Sequence, residues 1–198
     1  IIQDAAHAHG ARGYADTGIG EYGSLACFSF QNFKLMTAGE GGLVLCPNEE
    51  LREKVFLYGN CGRPLGDRSY QHTVVGTNAR LSEFSAAVLG VQLSRLEQQT
   101  RVRQHNARLL SDTLARQGLV TAQVRTQDAH THPYYMFLFT LNDLPGQRAL
   151  DRNRVVDCLV AEGIPAFRSY QALYRSPSFW QAPAPTRQDL AQCIASCP

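Results

Sequence analysis

The feature that most constrains the fold is an uninterrupted apolar run at residues 24–30 (SLACFSF). Such a run suits a strand that is buried on both faces of a parallel sheet. A second apolar segment, residues 1–4 (IIQD), has the character of the last residues of another buried strand, and it ends in Asp4. The pattern therefore indicates an α/β domain.

The rest of the sequence continues the alternation of strands and helices. The expected elements are a strand at 43–46, a helix at 48–59, one long or broken helix at 82–117, a strand at 134–141, a helix at 152–162 and a short strand at 165–167. Asn48 is expected to cap the first helix and Gly59 to close it. The long helix is expected to link a first domain to a small second one, which begins past Gly118.

Composition limits the classes of function. A chain of 198 residues with 44% hydrophobic and 18% charged residues is expected to be a soluble globular protein. Its net charge of +2 comes from scattered arginines, so nothing indicates a nucleic-acid partner. No apolar run approaches the roughly 20 residues that span a bilayer, and we expect a cytoplasmic location. The six cysteines form no CxxC motif and are expected to be reduced.

The sequence contains only two lysines, Lys34 and Lys54. Lys54 lies in the polar pattern of the helix at 48–59 and is expected to be a solvated surface charge. Lys34 follows the buried strand and has the apolar neighbours Phe33 and Leu35. Partial desolvation would favour the neutral amine that imine formation requires. A structural lysine whose ammonium reaches solvent fits the same pattern.

Two polar residues are expected at strand ends, where ligands bind in open α/β sheets. Asp4 could keep a pyridinium nitrogen protonated, as a pyridoxal ring needs, but it could equally cap a helix. Ser29 lies five residues before Lys34 and could donate to a phosphate oxygen, or it could be a satisfied core hydroxyl. The residues alone leave these alternatives open.

Three blocks of sequence carry a family resemblance. They are residues 4–11 (DAAHAHGA), 29–42 (SFQNFKLMTAGEGG) and 76–81 (GTNARL). In this order they resemble the signature blocks of the DegT/DnrJ/StrS family of pyridoxal-phosphate-dependent aminotransferases. The resemblance runs over nearly the whole chain and is densest at residues 1–96. Within the family, residues 31–42 and 60–64 are most similar to the 3-amino-5-hydroxybenzoate synthase-like members.

The resemblance implies a role for each matching residue. Lys34 would hold pyridoxal 5'-phosphate as a Schiff base and move the substrate proton. Asp4 would face the pyridine nitrogen, and His7 would lie beside the phenolic oxygen, where relatives often have Gln. Ser29 would bind the phosphate. Asn78 would reach the phosphate of the neighbouring subunit's cofactor, which implies a homodimer with shared active sites.

The resemblance also implies an α/β fold of fold-type I, with an incomplete large mixed-sheet domain and a small C-terminal α/β domain. Residues 1–100 would be the C-terminal portion of the large cofactor-binding domain, 101–118 the linking helix and 119–198 the truncated small domain. Family members continue beyond both ends of this sequence. We therefore expect a fragment that cannot hold the cofactor tightly by itself.

Three functions are open at this stage. The first is transfer of an amino group, from glutamine or glutamate, to a keto group of a sugar nucleotide or cyclitol-like ring in antibiotic or sugar biosynthesis. The second is dehydration and aromatisation of an aminodehydroshikimate, as in 3-amino-5-hydroxybenzoate synthase. The third is a non-catalytic or regulatory relative. Retention of Lys34 with Asp4 and Ser29 argues against the third.

Other polar and aromatic residues have plainer interpretations. His7 and His9 could suggest a metal pair, but no third ligand lies at a convincing spacing. The loop arginines, which are either solvated or face a substrate carboxylate or phosphate, are Arg63, Arg68 and Arg80. The tyrosines expected to pack within the small domain are Tyr134, Tyr135 and Tyr170.

Overall fold

The two apolar segments form neighbouring strands of one mixed sheet. In the computed structural model, strand β1 (Ile2–Asp4) pairs in parallel with β2 (Leu25–Ser29), with Asp4 opposite Cys27. Strand β3 (Gly42–Leu45) pairs with β2 in the antiparallel sense. Because β1 and β2 are parallel, their carboxyl ends lie at the same edge of the sheet.

The structure describes residues 1–22, 25–124, 130–143, 150–170, 172 and 175–177. The chain divides into two compact units, Ile1–Asn142 and Asp143–Pro198. The division expected from the sequence, with boundaries at 100 and 118, stays a prediction. Within the described residues, no helix is both long and apolar enough to cross a membrane.

The central strand β2 is less buried than its sequence indicates. Ala26 is fully covered, whereas Leu25, Cys27, Phe28 and Ser29 are half-buried in the chain as described. A strand buried on both faces was expected, and this part of the prediction is wrong for the chain by itself. An apolar run shows that a strand can be covered, but the covering elements determine how much of it is.

The loop between β2 and β3 is closed at Phe30, whose side chain is only 3% exposed. The Phe30 N–H donates to Gly41 O at 2.8 Å, and Phe30 O accepts from Ala38 N at 3.0 Å and from Thr37 Oγ1 at 3.1 Å. Both backbone groups of one core residue therefore fasten the loop that carries Lys34.

Helix α1 (Glu49–Gly59) begins and ends as the sequence predicts. Asn48 Oδ1 accepts from Leu51 N at 2.9 Å and so caps the first turn. On the exposed surface of this helix, Lys54 Nζ lies 2.6 Å from Glu50 Oε1. The interpretation of Lys54 as a surface charge is confirmed.

Helix α2 (Glu83–Gln117) is a single helix of 35 residues without a break. Ser82 Oγ accepts from Ser85 N at 3.1 Å at its start, and Gly118 ends it with a φ of +67°. A left-handed residue after the last turn is the usual position for glycine. The long helix predicted at 82–117 is thus confirmed, and it is continuous.

The strand expected at 134–141 is shorter in the structure. Strand β5 (Phe139–Leu141) pairs with β4 (Val120–Ala122), a strand that the sequence did not indicate, and β4 contacts α2. Tyr134 has a φ of +48°, and its N–H donates to His132 Nδ1 at 3.2 Å. This local turn interrupts the extended backbone before β5, so the prediction is wrong for residues 134–138.

In the second unit, helix α3 (Arg152–Ala161) confirms the predicted helix and is capped by the Asp151 carboxylate. The strand predicted at 165–167 is absent. Ala166 N donates to Ile164 O at 2.8 Å, which is a local turn rather than a ladder. A strand needs a partner, and a short apolar segment by itself does not supply one.

The described core lies where the end of β1, strand β2 and α2 provide small and apolar side chains. Its buried apolar members are Ala5, Ala26, Phe30, Leu89, Leu96 and Ala107. Four cysteines are described and all are free: Cys27, Cys46, Cys61 and Cys158. Cys193 and Cys197 lie outside the described residues.

Candidate active site

The predicted residues Asp4 and Ser29 end the two parallel strands at the same sheet edge. Asp4 is exposed, and its Oδ1 accepts from Ala6 N at 3.1 Å, so it caps the turn that follows. Ser29 is half-buried, and its Oγ accepts from Gln31 N at 3.4 Å. Asp4 thus already has the local role that the sequence left open, and as an exposed carboxylate with two oxygens it is not limited to that role.

Lys34 lies in the loop beyond β2, where its own N–H donates to Gln31 O at 2.9 Å. The side chain is half-buried. Its Nζ lies 5.3 Å from the ring centroid of Tyr135, within the range of a cation–π contact. Phe33, the neighbour expected to desolvate the amine, is 77% exposed. The apolar contact expected from Phe33 is therefore provided by Tyr135, which is remote in sequence.

His7 follows Asp4 on the turn after β1 and packs face to face on Tyr135. Their ring centroids are 3.8 Å apart and their planes differ by 17°. Burial lowers the pKa of His7, the charge of Lys34 lowers it further, and Asp4 acts in the opposite direction. The two larger effects both lower the pKa, so the neutral imidazole is favoured.

His9 lies deeper, with only 3% of its surface exposed. Its ring centroid is 5.3 Å from that of Phe28 and 5.9 Å from that of Phe30. Burial lowers its pKa, and among the described residues neither ring nitrogen has a partner at hydrogen-bonding geometry. In the described part of the chain, no three His, Cys, Asp or Glu side chains are grouped so that they could hold a metal ion.

Asn78 lies in a different cluster, in the loop between α1 and α2. It is exposed, pairs with Asn60 through a single backbone bridge, and its Oδ1 accepts from Arg80 N at 3.3 Å. Arg80 Nη1 donates to Asn60 Oδ1 at 2.9 Å. The structure thus brings Asp4 and Ser29 together at one sheet edge, whereas the contacts described for Asn78 are with residues of its own loop.

Close backbone packing shapes this loop. A Cβ atom on Gly62, which has a φ of +75°, would lie 1.8 Å from Val74 O, so no other residue fits there. The Arg63 guanidinium lies 4.1 Å from the ring centroid of Tyr70, and its Nη2 donates to Asp67 O at 3.3 Å. Arg63 therefore has partners within the loop, while Arg68 is exposed.

Tyr135 is the site residue that sequence reasoning missed. It was expected to pack within the small domain, whereas its described contacts are with His7 and Lys34, more than 100 positions earlier in the chain. Tyr134 contacts the His132 ring edge-on at 4.4 Å, and Tyr170 is 75% exposed. No local pattern distinguishes Tyr135 from Tyr134, because its contact is with residues near the other end of the unit.

The chain is similar to known proteins over nearly its whole length. The model of the DegT/DnrJ/EryC1/StrS aminotransferase family matches residues 1–197. The chain is 47% identical over 187 residues to a 3-amino-5-hydroxybenzoate synthase of Amycolatopsis mediterranei, covering 93% of this chain and 47% of that protein. It is 34% identical to an L-glutamine:2-deoxy-scyllo-inosose aminotransferase of Streptomyces kanamyceticus, covering 90% of this chain and 44% of that protein.

Solved structures show the same fold. A crystal structure of 3-amino-5-hydroxybenzoic acid synthase superposes with a TM-score of 0.81 at 46% identity, over 96% of this chain and 50% of that one. Streptomyces venezuelae DesV in complex with a ketimine intermediate gives 0.80 at 31% identity, over 98% of this chain and 49% of that one. The expected resemblance and fold class are confirmed, and the chain spans about half the length of the relatives it matches.

Proposed function

We propose, since this chain belongs to the DegT/DnrJ/EryC1/StrS aminotransferase family, that it provides the cofactor-holding lysine of a pyridoxal-phosphate-dependent aminotransferase. One observation carries the proposal: the Tyr135 ring stacks on His7 at 3.8 Å and lies 5.3 Å from Lys34 Nζ, so the imidazole and the amine lie on the same ring. Ser29 ends the strand beside that of Asp4. A carboxylate, an imidazole, a hydroxyl and a primary amine are a donor set that fits pyridoxal phosphate.

Each side chain has a defined task in this proposal. Asp4 would keep the pyridine nitrogen protonated, His7 would lie beside the phenolic oxygen, and Ser29 would donate to the phosphate. When bound, the cofactor supplies an electron sink. Lys34 would take a proton from the substrate carbon at its Nζ and return it on the other side of the reaction. Neutral His7 retains a ring N–H that can donate to an oxygen.

The proposed reaction exchanges an amino group for a carbonyl oxygen. Glutamine or glutamate would give up its amino group and leave as a 2-oxo acid, and a ketone on a cyclitol-like ring or sugar nucleotide would become an amine. The identity of 34% to an enzyme named for glutamine and 2-deoxy-scyllo-inosose supports this donor and acceptor class.

A second candidate is a 3-amino-5-hydroxybenzoate synthase-type reaction, in which an aminodehydroshikimate loses water and becomes aromatic. The observation that favours it is the higher identity, 47%, to a protein of that name. The two candidates require the same lysine and differ in the ring that is presented to it.

Reduction of the imine makes the assignment of the cofactor to Lys34 directly testable. The intact protein is mixed with pyridoxal phosphate and reduced with borohydride, and the modified peptide is identified by mass spectrometry. We expect the label on Lys34, no stable label in Lys34→Ala, and normal labelling in the matched control Lys54→Ala. Equal labelling of both lysines, or a labelled Lys34→Ala variant, would contradict the proposal.

Substrate trials separate the two reactions. The protein is incubated with L-glutamine plus 2-deoxy-scyllo-inosose, and separately with aminodehydroshikimate alone. An aminated ring with a stoichiometric 2-oxo acid supports the first candidate, whereas a new aromatic absorbance without a donor supports the second. A protein that takes up the cofactor but converts neither ring compound and does not react with glutamine would support the non-catalytic alternative.

A further inference from the structure

Tyr135 makes two contacts with residues assigned to the cofactor site. Its ring stacks on His7 at 3.8 Å with an interplanar angle of 17°, and Lys34 Nζ lies 5.3 Å from the ring centroid. One aromatic side chain thus contacts both the imidazole and the amine. This residue lies outside the sequence blocks that carry the family resemblance.

The stacking contact restricts His7. An imidazole that turns about its Cβ–Cγ bond exchanges a nitrogen for a carbon at the position facing a ligand. Packing against a nearly parallel ring fixes the plane and excludes water from one face. Burial is the largest cause of the lowered pKa of His7, and a stacked ring contributes to that burial.

The cation–π contact restricts Lys34 in the same way. A lysine ammonium ends a flexible four-carbon chain and has many rotamers of similar energy. A ring face attracts the ammonium without a fixed hydrogen-bond geometry, so the amine is kept near the sheet edge and remains able to leave. A carboxylate in that place would hold the ammonium more tightly.

The segment carrying Tyr135 is anchored independently of the site. Pro133 is buried, and its O accepts from Arg103 Nε on α2 at 2.9 Å. Arg103 Nη2 donates to the buried Thr100 Oγ1 at 3.0 Å. Burial also lowers the pKa of Arg103. The backbone next to Tyr135 is therefore held in place by helix α2.

We propose that Tyr135 is a positioning residue of the cofactor site, whose ring fixes the plane of His7 and keeps the amine of Lys34 beside it. The inference rests on the proposed function for the meaning of the site, but the two ring contacts can be tested without it. The phenolic hydroxyl has no part in either contact, so phenylalanine should replace tyrosine and leucine should not.

The contacts are tested by NMR on intact protein with 13C-labelled histidine, in which the ring signals of His7 are followed. In wild type we expect nuclear Overhauser effects between the His7 and Tyr135 rings. Tyr135→Leu should remove the ring-current shift of His7 and move its pKa back up toward its ordinary value, and Tyr135→Phe should preserve both. The matched control Tyr134→Leu should change the His132 signal instead.

Cofactor uptake tests the positioning role itself. The visible absorbance that develops on addition of pyridoxal phosphate is followed by stopped flow. Tyr135→Leu should lower the rate constant of cofactor uptake by about tenfold, because an aromatic stacking contact and a cation–π contact are lost. Tyr135→Phe keeps both contacts and should have the wild-type rate constant. Wild-type rates in Tyr135→Leu would overturn the inference.

The outcomes separate this inference from the function it rests on. If wild type takes up no pyridoxal phosphate, the proposed function fails and the NMR contacts still decide whether Tyr135 holds His7. If Tyr135→Leu does not fold, the wild-type Overhauser effects and the Tyr135→Phe rate remain decisive. Absence of the His7–Tyr135 effect in wild type would overturn the inference whatever the variants do.

Discussion

At the scale of single residues, the buried histidine behind the site links stability to pH. His9 is almost fully covered by an aromatic environment, and burial lowers its pKa in the folded chain. The unfolded chain therefore takes up the proton at a higher pH than the folded chain does. The free energy of unfolding is at its full value above the ordinary histidine pKa of about 6.5 and falls as the pH drops from there through the lowered folded value.

We predict that the free energy of unfolding decreases as the pH falls below about 6.5, with a slope of at most about 1.4 kcal/mol per pH unit from this one group. Urea titrations at a series of pH values measure it. His9→Leu should flatten the profile. Leu96→Ala, which removes buried apolar volume without a titrating group, should lower the whole profile and keep its slope. An unchanged slope in His9→Leu would show that other groups cause the decrease.

Sequence reasoning located individual site residues unequally well. Lys34 could be singled out because lysine is scarce and because it follows a strand that local pattern reveals. Phe33 was expected to cover it, yet that side chain points to solvent. Tyr135 could not be found, because contacts between remote segments leave no periodicity in the sequence. Local patterns thus singled out the lysine, and only the fold showed which side chains surround it.

At the scale of elements, the loop before α2 depends on close backbone contact. Gly62 and Gly66 have nearly equal φ angles, +75° and +76°. A Cβ on Gly62 would lie 1.8 Å from Val74 O, whereas a Cβ on Gly66 would meet nothing within 4 Å. Comparing Gly62 with Gly66 therefore separates two causes of lost stability in an alanine variant: the left-handed backbone alone, and the additional steric clash.

We predict that Gly66→Ala destabilises the protein by about 1 kcal/mol, which is the cost of placing a Cβ in the left-handed region. Gly62→Ala should cost several times more, because the Val74 carbonyl must also move. Thermal unfolding measures both. Hydrogen exchange at Thr73, whose N–H donates to Gly62 O at 2.8 Å, should accelerate only in Gly62→Ala. Equal effects of the two variants would contradict the steric explanation.

The elements that were predicted well have ends coded by nearby residues. Asn48, Ser82 and Asp151 each cap a helix with their own side chains. Strands were predicted less well. Strand β4 exists because β5 pairs with it, and residues 165–167 have no such partner among the residues that the structure describes. Which segments pair depends on the fold, and the sequence of either segment alone does not reveal it.

At the scale of the whole molecule, the exposed position of Asn78 fits a site completed by a second subunit. We propose that Asn78 acts on the cofactor held by Lys34 of the neighbouring chain, in a homodimer. Mixing Lys34→Ala with Asn78→Ala should then restore roughly a quarter of wild-type activity, because half of the dimers are mixed and each has one intact site.

The mixing experiment has a matched control, which uses two residues of the same subunit's site. Ser29 and Lys34 are assigned to the same subunit's site, so mixing Lys34→Ala with Ser29→Ala should restore nothing. Activity is measured after dissociation and reassociation of the purified variants. If the Asn78 mixture also stays inactive, Asn78 does not act across a subunit interface.

The hydrogen bonds at Phe30 divide the loop that carries Lys34 into a fixed base and an exposed tip. They join Phe30 to Gly41, Ala38 and Thr37 and leave the tip of the loop, Asn32 and Phe33, exposed. Substitutions at the tip leave this closure intact. A lineage, or an engineer, can therefore vary the surface beside Lys34 while the closure of the loop is kept.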